Sequence, residues 1–195
     1  YNQLPTKGLE VEEIENEFKQ MVSKRSIDYS KVSGATYSKN ENLDKMLFNL
    51  FKYFNKTNPL HTNLYPSIRK MENEIISFMI KLFNGNEDTC GIFTSGGTES
   101  ILMACKTYRE LGRERGISNP EIIVSTTVHC AFNKACQYFN IKLIMIPCLG
   151  NGEFDTQKLV KNINSNTILI VGSTPSYNLG IIDPINKLNE IALKY

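Results

Sequence analysis

The sequence carries no excess of one charge: 22 Lys+Arg stand against 20 Asp+Glu, a formal net charge of +2. Spread over mixed charges, that balance makes no basic stripe and argues against a nucleic-acid partner. No apolar run approaches the roughly 18 residues a membrane helix needs, so no membrane segment is expected in this chain. The N-terminal residues also lack the apolar stretch of a signal peptide. The five cysteines, Cys90, Cys105, Cys130, Cys136 and Cys148, are odd in number and form no CxxC pair. That pattern fits reduced thiols in a cytosol-facing compartment, not a disulfide framework. Histidine is scarce too, and neither His61 nor His129 stands at ligand spacing from the cysteines, so no metal site is expected. What the chain does have is 195 residues, 41% of them hydrophobic. A chain of that length buries about 70% of its unfolded surface, so a sizeable core is available and disorder is excluded. It opens on Tyr1 and not on Met, as a piece of a larger protein would.

Two stretches read differently. Residues 1–60 hold two amphipathic helical patterns, from about Leu9 to Lys24 and from about Asn42 to Phe54. The segment Val32–Tyr37 between them has no helical period and reads as loop, and Asn58-Pro59 stops the second helix. From Pro66 the pattern becomes regular. Pro66 suits a first helical turn, and Ile68, Met71, Ile75, Ile76, Met79, Ile80 and Phe83 form an apolar face before Asn84-Gly85. Strand-like runs then follow at Gly91–Thr94, Ile122–Ser125, Lys142–Ile146 and Thr167–Val171. The helices between them are expected at Thr98–Arg115, Ala131–Phe139 and Asp155–Asn162, with a last one starting near Pro184. Ile- and Val-rich strands separated by helices predict an α/β fold, a parallel sheet covered on both faces. The alternation is still running at Tyr195, so the sheet is expected to be incomplete.

Thr94-Ser95-Gly96-Gly97-Thr98-Glu99-Ser100 joins an expected strand to an expected helix. Two glycines there permit a tight turn and close backbone approach, and the N–H groups of the new helix point at whatever lies above them. Read as chemistry, this is a cradle for a phosphate. It is neither a Walker A loop nor G-x-G-x-x-G. The other reading is a glycine-rich turn in which Thr98 caps the helix. His129 falls at the carboxyl end of a strand, where open α/β sheets bind ligands; its imidazole could stack on a planar cofactor, move a proton or cap the next helix. Ser173 and Thr174 occupy the equivalent sheet edge, as site residues or as a polar turn. His61, in Asn58-Pro59-Leu60-His61, reads from pattern alone as a solvent-exposed turn histidine. Lys134, Lys142, Lys158 and Lys161 fall on polar faces or strand edges, without the desolvation that would depress a lysine pKa.

These motifs carry a resemblance. TSGGTESILMACK (94–106) is similar to the pyridoxal-phosphate-dependent group II decarboxylase superfamily. Ser33–Ser38, NPLH (58–61) with the YPSIRKMENEI that follows at 65–75, LFNG (82–85), HCAFNKA (129–135), Ser173-Thr174-Pro175 and GIIDP (180–184) resemble its sphingosine-1-phosphate lyase branch. The match runs over nearly the whole chain. It implies a fold-type-I, pyridoxal-phosphate-dependent transferase-like large domain with a mostly parallel sheet, preceded by an N-terminal helical arm. Residues 1–60 would be that arm, with substrate and dimer contacts, and 61–195 the first half of the cofactor-binding domain. The resemblance places pyridoxal 5'-phosphate with its phosphate at Gly97 and Thr98, Ser95 and Gly96 beside it, and Ser173 and Thr174 nearby. His129 would stack on the pyridine ring as a catalytic residue. Tyr37, Asn58 and His61 would lie near the substrate, where the partner of a homodimer also contributes. The apolar helical faces of the arm need such a cover.

The implied reaction is retro-aldol cleavage of a phosphorylated sphingoid base to a fatty aldehyde and phosphoethanolamine, in an enzyme at the cytosolic face of the endoplasmic reticulum membrane. The alternatives are a group II amino-acid decarboxylase, or a non-catalytic dimeric scaffold of the same fold. The family's Schiff-base lysine and pyridinium-pairing aspartate fall beyond the region matching Tyr195. By itself the chain is therefore expected to be a soluble but inactive fragment. Mixed with pyridoxal phosphate and reduced with borohydride, residues 1–195 should give no single stoichiometric lysine adduct by mass spectrometry. One defined adduct together with aldehyde release would relocate the catalytic centre.

Overall fold

A computed structural model describes residues 3, 6–24, 27–32, 34 and 40–195. The chain divides into two compact units, residues 1–70 and 71–195. In the first, α1 (Val11–Ser23) starts where the Glu13 carboxylate accepts the Glu10 N–H at 3.1 Å. A short 3₁₀ turn (Tyr29–Lys31) follows. α2 (Glu41–Phe54) is capped by Asn40, whose side-chain oxygen accepts the N–H groups of Asn42 and Leu43, satisfying two otherwise orphaned donors. α3 (Pro66–Leu82) begins in the first unit and ends in the second. No residue of these three helices is buried, and Phe48 of α2 is 80% exposed.

The second unit continues with α4 (Gly97–Glu114), β1 (Glu121–Ser125), α5 (Ala131–Phe139), β2 (Lys142–Ile146), α6 (Thr156–Asn162), β3 (Thr167–Val171) and α7 (Ile185–Lys194). The three strands form a parallel sheet in the order β2-β1-β3. β1 is central, with Ile123 opposite Ile144 on one side and Ile170 on the other. Strand side chains alternate between faces, so β1 feeds two cores. Ile122 and Val124 pack with Cys105 of α4 and with Ala135, Cys136 and Ile141. Ile123 packs on the other face with Phe154, Leu159 of α6, and Leu188 and Ile191 of α7. The expected parallel sheet covered by helices on both faces is therefore present. Cys136 is an inert core thiol, its pKa pushed up to about 11 by burial. At the strand's start the buried Glu121 accepts hydrogen bonds from Lys142 Nζ at 2.7 Å and Asn164 Nδ2 at 2.8 Å. The Lys142 bond first, then that of Asn164, holds the carboxyl below its ordinary range.

One expected strand is absent. Gly91–Thr94 has no partner in the sheet, so among the described residues there are three strands, not four. A strand exists only through its ladder, and composition alone cannot supply one. These residues pass instead along α3, where a Cβ on Gly91 would meet Ile76 at 3.1 Å.

Helix directions fix which ends share an edge. Near its C-terminus α4 approaches β3 so closely that a Cβ on Gly112 would lie 2.7 Å from Ile168, near the start of that strand. Arg109 also donates to the Phe139 carbonyl at the end of α5. α4 therefore runs alongside α5 and against the strands, and its N-terminus faces the carboxyl edge of the sheet. That edge is stitched by Asp183, only 2% exposed. Its Oδ2 accepts the Ser173 N–H at 2.7 Å and its Oδ1 the Phe154 N–H at 3.2 Å. Its own N–H donates to the Ser173 carbonyl at 2.9 Å.

Substitutions at two positions test this packing. Leu159 is fully buried, so Leu159→Ala should lower unfolding free energy by about 2–5 kcal/mol in denaturant titration. Asp183→Ala strands two backbone donors, at about 1–3 kcal/mol for each buried donor left unpaired, whereas Asp183→Asn keeps one acceptor and should cost less. Equal losses for the two variants would show that the carboxamide cannot replace either bond.

Candidate active site

The loop Thr94–Ser100 builds an open helix N-terminus. The N-cap of α4 is Gly96, in an extended conformation (φ 159°, ψ 177°), and Gly97 is its first helical residue. Thr98 is therefore not the cap; it sits one position inside the first turn. The displacement has a local cause, because Glu99 draws in the residue before the cap. Its Oε2 accepts both the Ser95 N–H and the Ser95 hydroxyl at 2.6 Å. The Ser95 hydroxyl first, then the Ser95 N–H, holds the Glu99 carboxyl below its ordinary range. The Thr94 and Ser100 hydroxyls pair at 2.7 Å. Thr98 keeps a hydroxyl without a partner among the described residues. A Cβ added at Gly96 or Gly97 would meet nothing within 4 Å. The first N–H groups of a helix have no partner within it, and here they open into space.

His129 follows β1 at the same edge. Its Nδ1 accepts the Ala131 N–H at 3.1 Å, so the helix-capping contact anticipated for it exists. That bond places the ring proton on Nε2 and leaves the exposed imidazole face free. Ser173 and Thr174 follow β3, which pairs with β1 in parallel, so they share this edge with His129 and with the start of α4. Ser173 is held through its backbone by Asp183, and Thr174 is exposed.

The remaining anticipated residues are described by their own surroundings. Asn58 and His61 belong to the first unit and share one turn: Asn58 Oδ1 accepts the Leu60 N–H, and the Asn58 carbonyl accepts the His61 N–H. Tyr37 lies outside the described residues. Lys142 and Lys158 are paired with Glu121 and Asp155.

Three residues at this edge escaped the motif reading. Glu99 could have been found from its spacing of four from Ser95. Asp183 carried no signal beyond its place in GIIDP. Cys148, just past β2, meets the hydroxyls of Ser125 at 2.9 Å and Thr126 at 3.5 Å. Burial pushes this thiol up, but those hydroxyls and that of Thr127 leave it below its ordinary value.

Residues 35–195 match the Aminotransferase class-V family. The chain is 42% identical over 193 residues to sphingosine-1-phosphate lyase 1 of Rattus norvegicus, covering 98% of this chain and 34% of that protein. Among solved structures it superposes on a sphingosine-1-phosphate lyase of Burkholderia pseudomallei with a TM-score of 0.92 at 31% identity, covering 98% of this chain and 46% of the other. It also superposes on a glutamate decarboxylase of Lactobacillus brevis with a TM-score of 0.79 at 21% identity, over 99% and 46% of the two chains. The chain thus spans about a third of the curated relative and under half of each solved structure. The fold is the expected type-I large domain, present in part, with a parallel sheet. A match over residues 35–195, joined to that fold, settles the relationship: the chain belongs to the aminotransferase class-V family.

Proposed function

We propose that the protein containing this chain is a pyridoxal-phosphate-dependent aldehyde-lyase that cleaves phosphorylated sphingoid bases to a fatty aldehyde and phosphoethanolamine. The observation that carries the reading is the 42% identity to a sphingosine-1-phosphate lyase over 98% of the chain. The likeness to a glutamate decarboxylase, at 21% identity, supports the fold alone. A group II decarboxylase is thereby the weaker alternative.

The residues fit the cofactor. Its phosphate needs clustered donors and room, and the open start of α4 has both, since Cβ atoms at Gly96 and Gly97 would stand in empty space. The N–H groups of Gly97 and Thr98 would hold the phosphate, with the positive end of the helix dipole behind them. Bound pyridoxal phosphate supplies an electron sink for breaking the C2–C3 bond of the substrate. His129, fixed by its Nδ1 bond to Ala131, would lay its ring against the pyridine and keep a proton at Nε2. Ser173 and Thr174 would border the cofactor, with Asp183 setting the backbone of Ser173. Tyr37, Asn58 and His61 would meet the substrate together with the partner of a homodimer. The exposed apolar faces of α1 and α2 support such a partner. No helix among the described residues is long and apolar enough to cross a membrane. The whole enzyme is assigned to the cytosolic face of the endoplasmic reticulum membrane on the strength of the resemblance.

The test is aldehyde release from a phosphorylated sphingoid base by the whole protein, followed by mass spectrometry. His129→Ala should lower turnover by about tenfold or more and loosen the cofactor, with the circular dichroism spectrum unchanged. Carbon dioxide release from an amino acid without aldehyde formation would favour the decarboxylase.

A further inference from the structure

The four hydroxyls of the loop are not equivalent. Thr94 and Ser100 satisfy each other at 2.7 Å, and Ser95 spends both its hydroxyl and its N–H on Glu99. Thr98 alone of the four is without a partner among the described residues. The Glu99 carboxylate turns its Oε2 onto Ser95, ahead of the helix. We infer that Glu99 is a positioning residue of the cofactor's phosphate cradle. It holds Ser95 out of direct phosphate contact and leaves the Gly97 and Thr98 N–H groups with the Thr98 hydroxyl as the donors. The inference rests on the pyridoxal-phosphate reading above.

The geometry gives this a physical basis. Glu99 is the third helical residue, and a carboxylate there commonly reaches back to an N–H ahead of the helix. Its two bonds to Ser95, both at 2.6 Å, fix the chain entering Gly96. Gly96 is extended and Gly97 helical, and this entry angle, with the Thr94 and Ser100 hydroxyls donating to the Gly96 carbonyl, shapes the turn from which the open N–H groups point. Removing the carboxylate frees Ser95 to turn its donors on the phosphate or on solvent, and the cradle loses its shape. A glutamine keeps an acceptor for the Ser95 N–H without the charge.

The experiment compares binding of pyridoxal 5'-phosphate with that of pyridoxal to the whole protein, by absorbance titration. The ratio of the two affinities isolates the phosphate's contribution and needs no turnover. Thr98→Val and Glu99→Ala should each lower the ratio by about tenfold, equivalent to about 1.4 kcal/mol. Ser95→Ala should change it by less than about threefold, and Glu99→Gln should restore most of the loss. A Ser95→Ala loss as large as that of Thr98→Val would overturn the inference, because Ser95 would then touch the phosphate itself. An unchanged ratio in Glu99→Ala would overturn it too, and should that variant not fold, the Ser95→Ala result still decides. A wild-type protein with no preference for the phosphorylated form would instead overturn the cradle reading beneath it.

Discussion

The complete burial of β1 is the constraint on which the second unit depends. All five residues from Glu121 to Ser125 are buried. A strand can be enclosed on both faces only if it is central in a sheet and helices cover each side. That requirement puts β2 and β3 at its flanks, α4 and α5 on the Ile122–Val124 face, and α6 and α7 on the Ile123 face. It also explains how a carboxylate survives at the strand's start: Glu121 is inside, but Lys142 and Asn164 both donate to it. Each connection out of the parallel strands then emerges at one edge, and the polar residues of the candidate site collect there.

At that edge most polar groups already have work. Asp183 ties Ser173 to Phe154, His129 holds the first N–H of α5, and Glu99 occupies Ser95. Among the described residues, the groups left uncommitted there include the first N–H groups of α4, the hydroxyls of Thr98, Ser173 and Thr174, and the exposed imidazole face. A site of this kind is preorganised, because donors that could collapse onto each other are held apart by partners of their own. The binding capacity of the edge is thus set as much by the engaged groups as by the free ones.

Much of this was legible in the sequence, for a physical reason. The runs Lys142–Ile146 and Thr167–Val171 and the helix Ala131–Phe139 have the observed bounds, because apolar periodicity reports burial and burial organises this fold. Gly91–Thr94 reads as a strand by composition but lacks a ladder, since pairing is a non-local property. The cap of α4 was misplaced by two positions: the side-chain pairing of Ser95 with Glu99 fixes the residue before the cap, and hydrophobic pattern does not register such pairing. Both readings of His129 rest on different atoms of one ring. The capping bond uses Nδ1, whereas the stacking role would use the face and stands on resemblance. Asn58 and His61 share a turn, but their substrate role likewise has only the resemblance behind it.

The central claim is that the open start of α4 carries the phosphate of pyridoxal phosphate. A crystal structure of the whole protein with the cofactor tests it most directly. The account predicts phosphate oxygens about 3 Å from the backbone nitrogens of Gly97 and Thr98, with the His129 ring stacked on the pyridine. A phosphate bound elsewhere, with the Gly97 and Thr98 N–H groups turned to solvent, would contradict it.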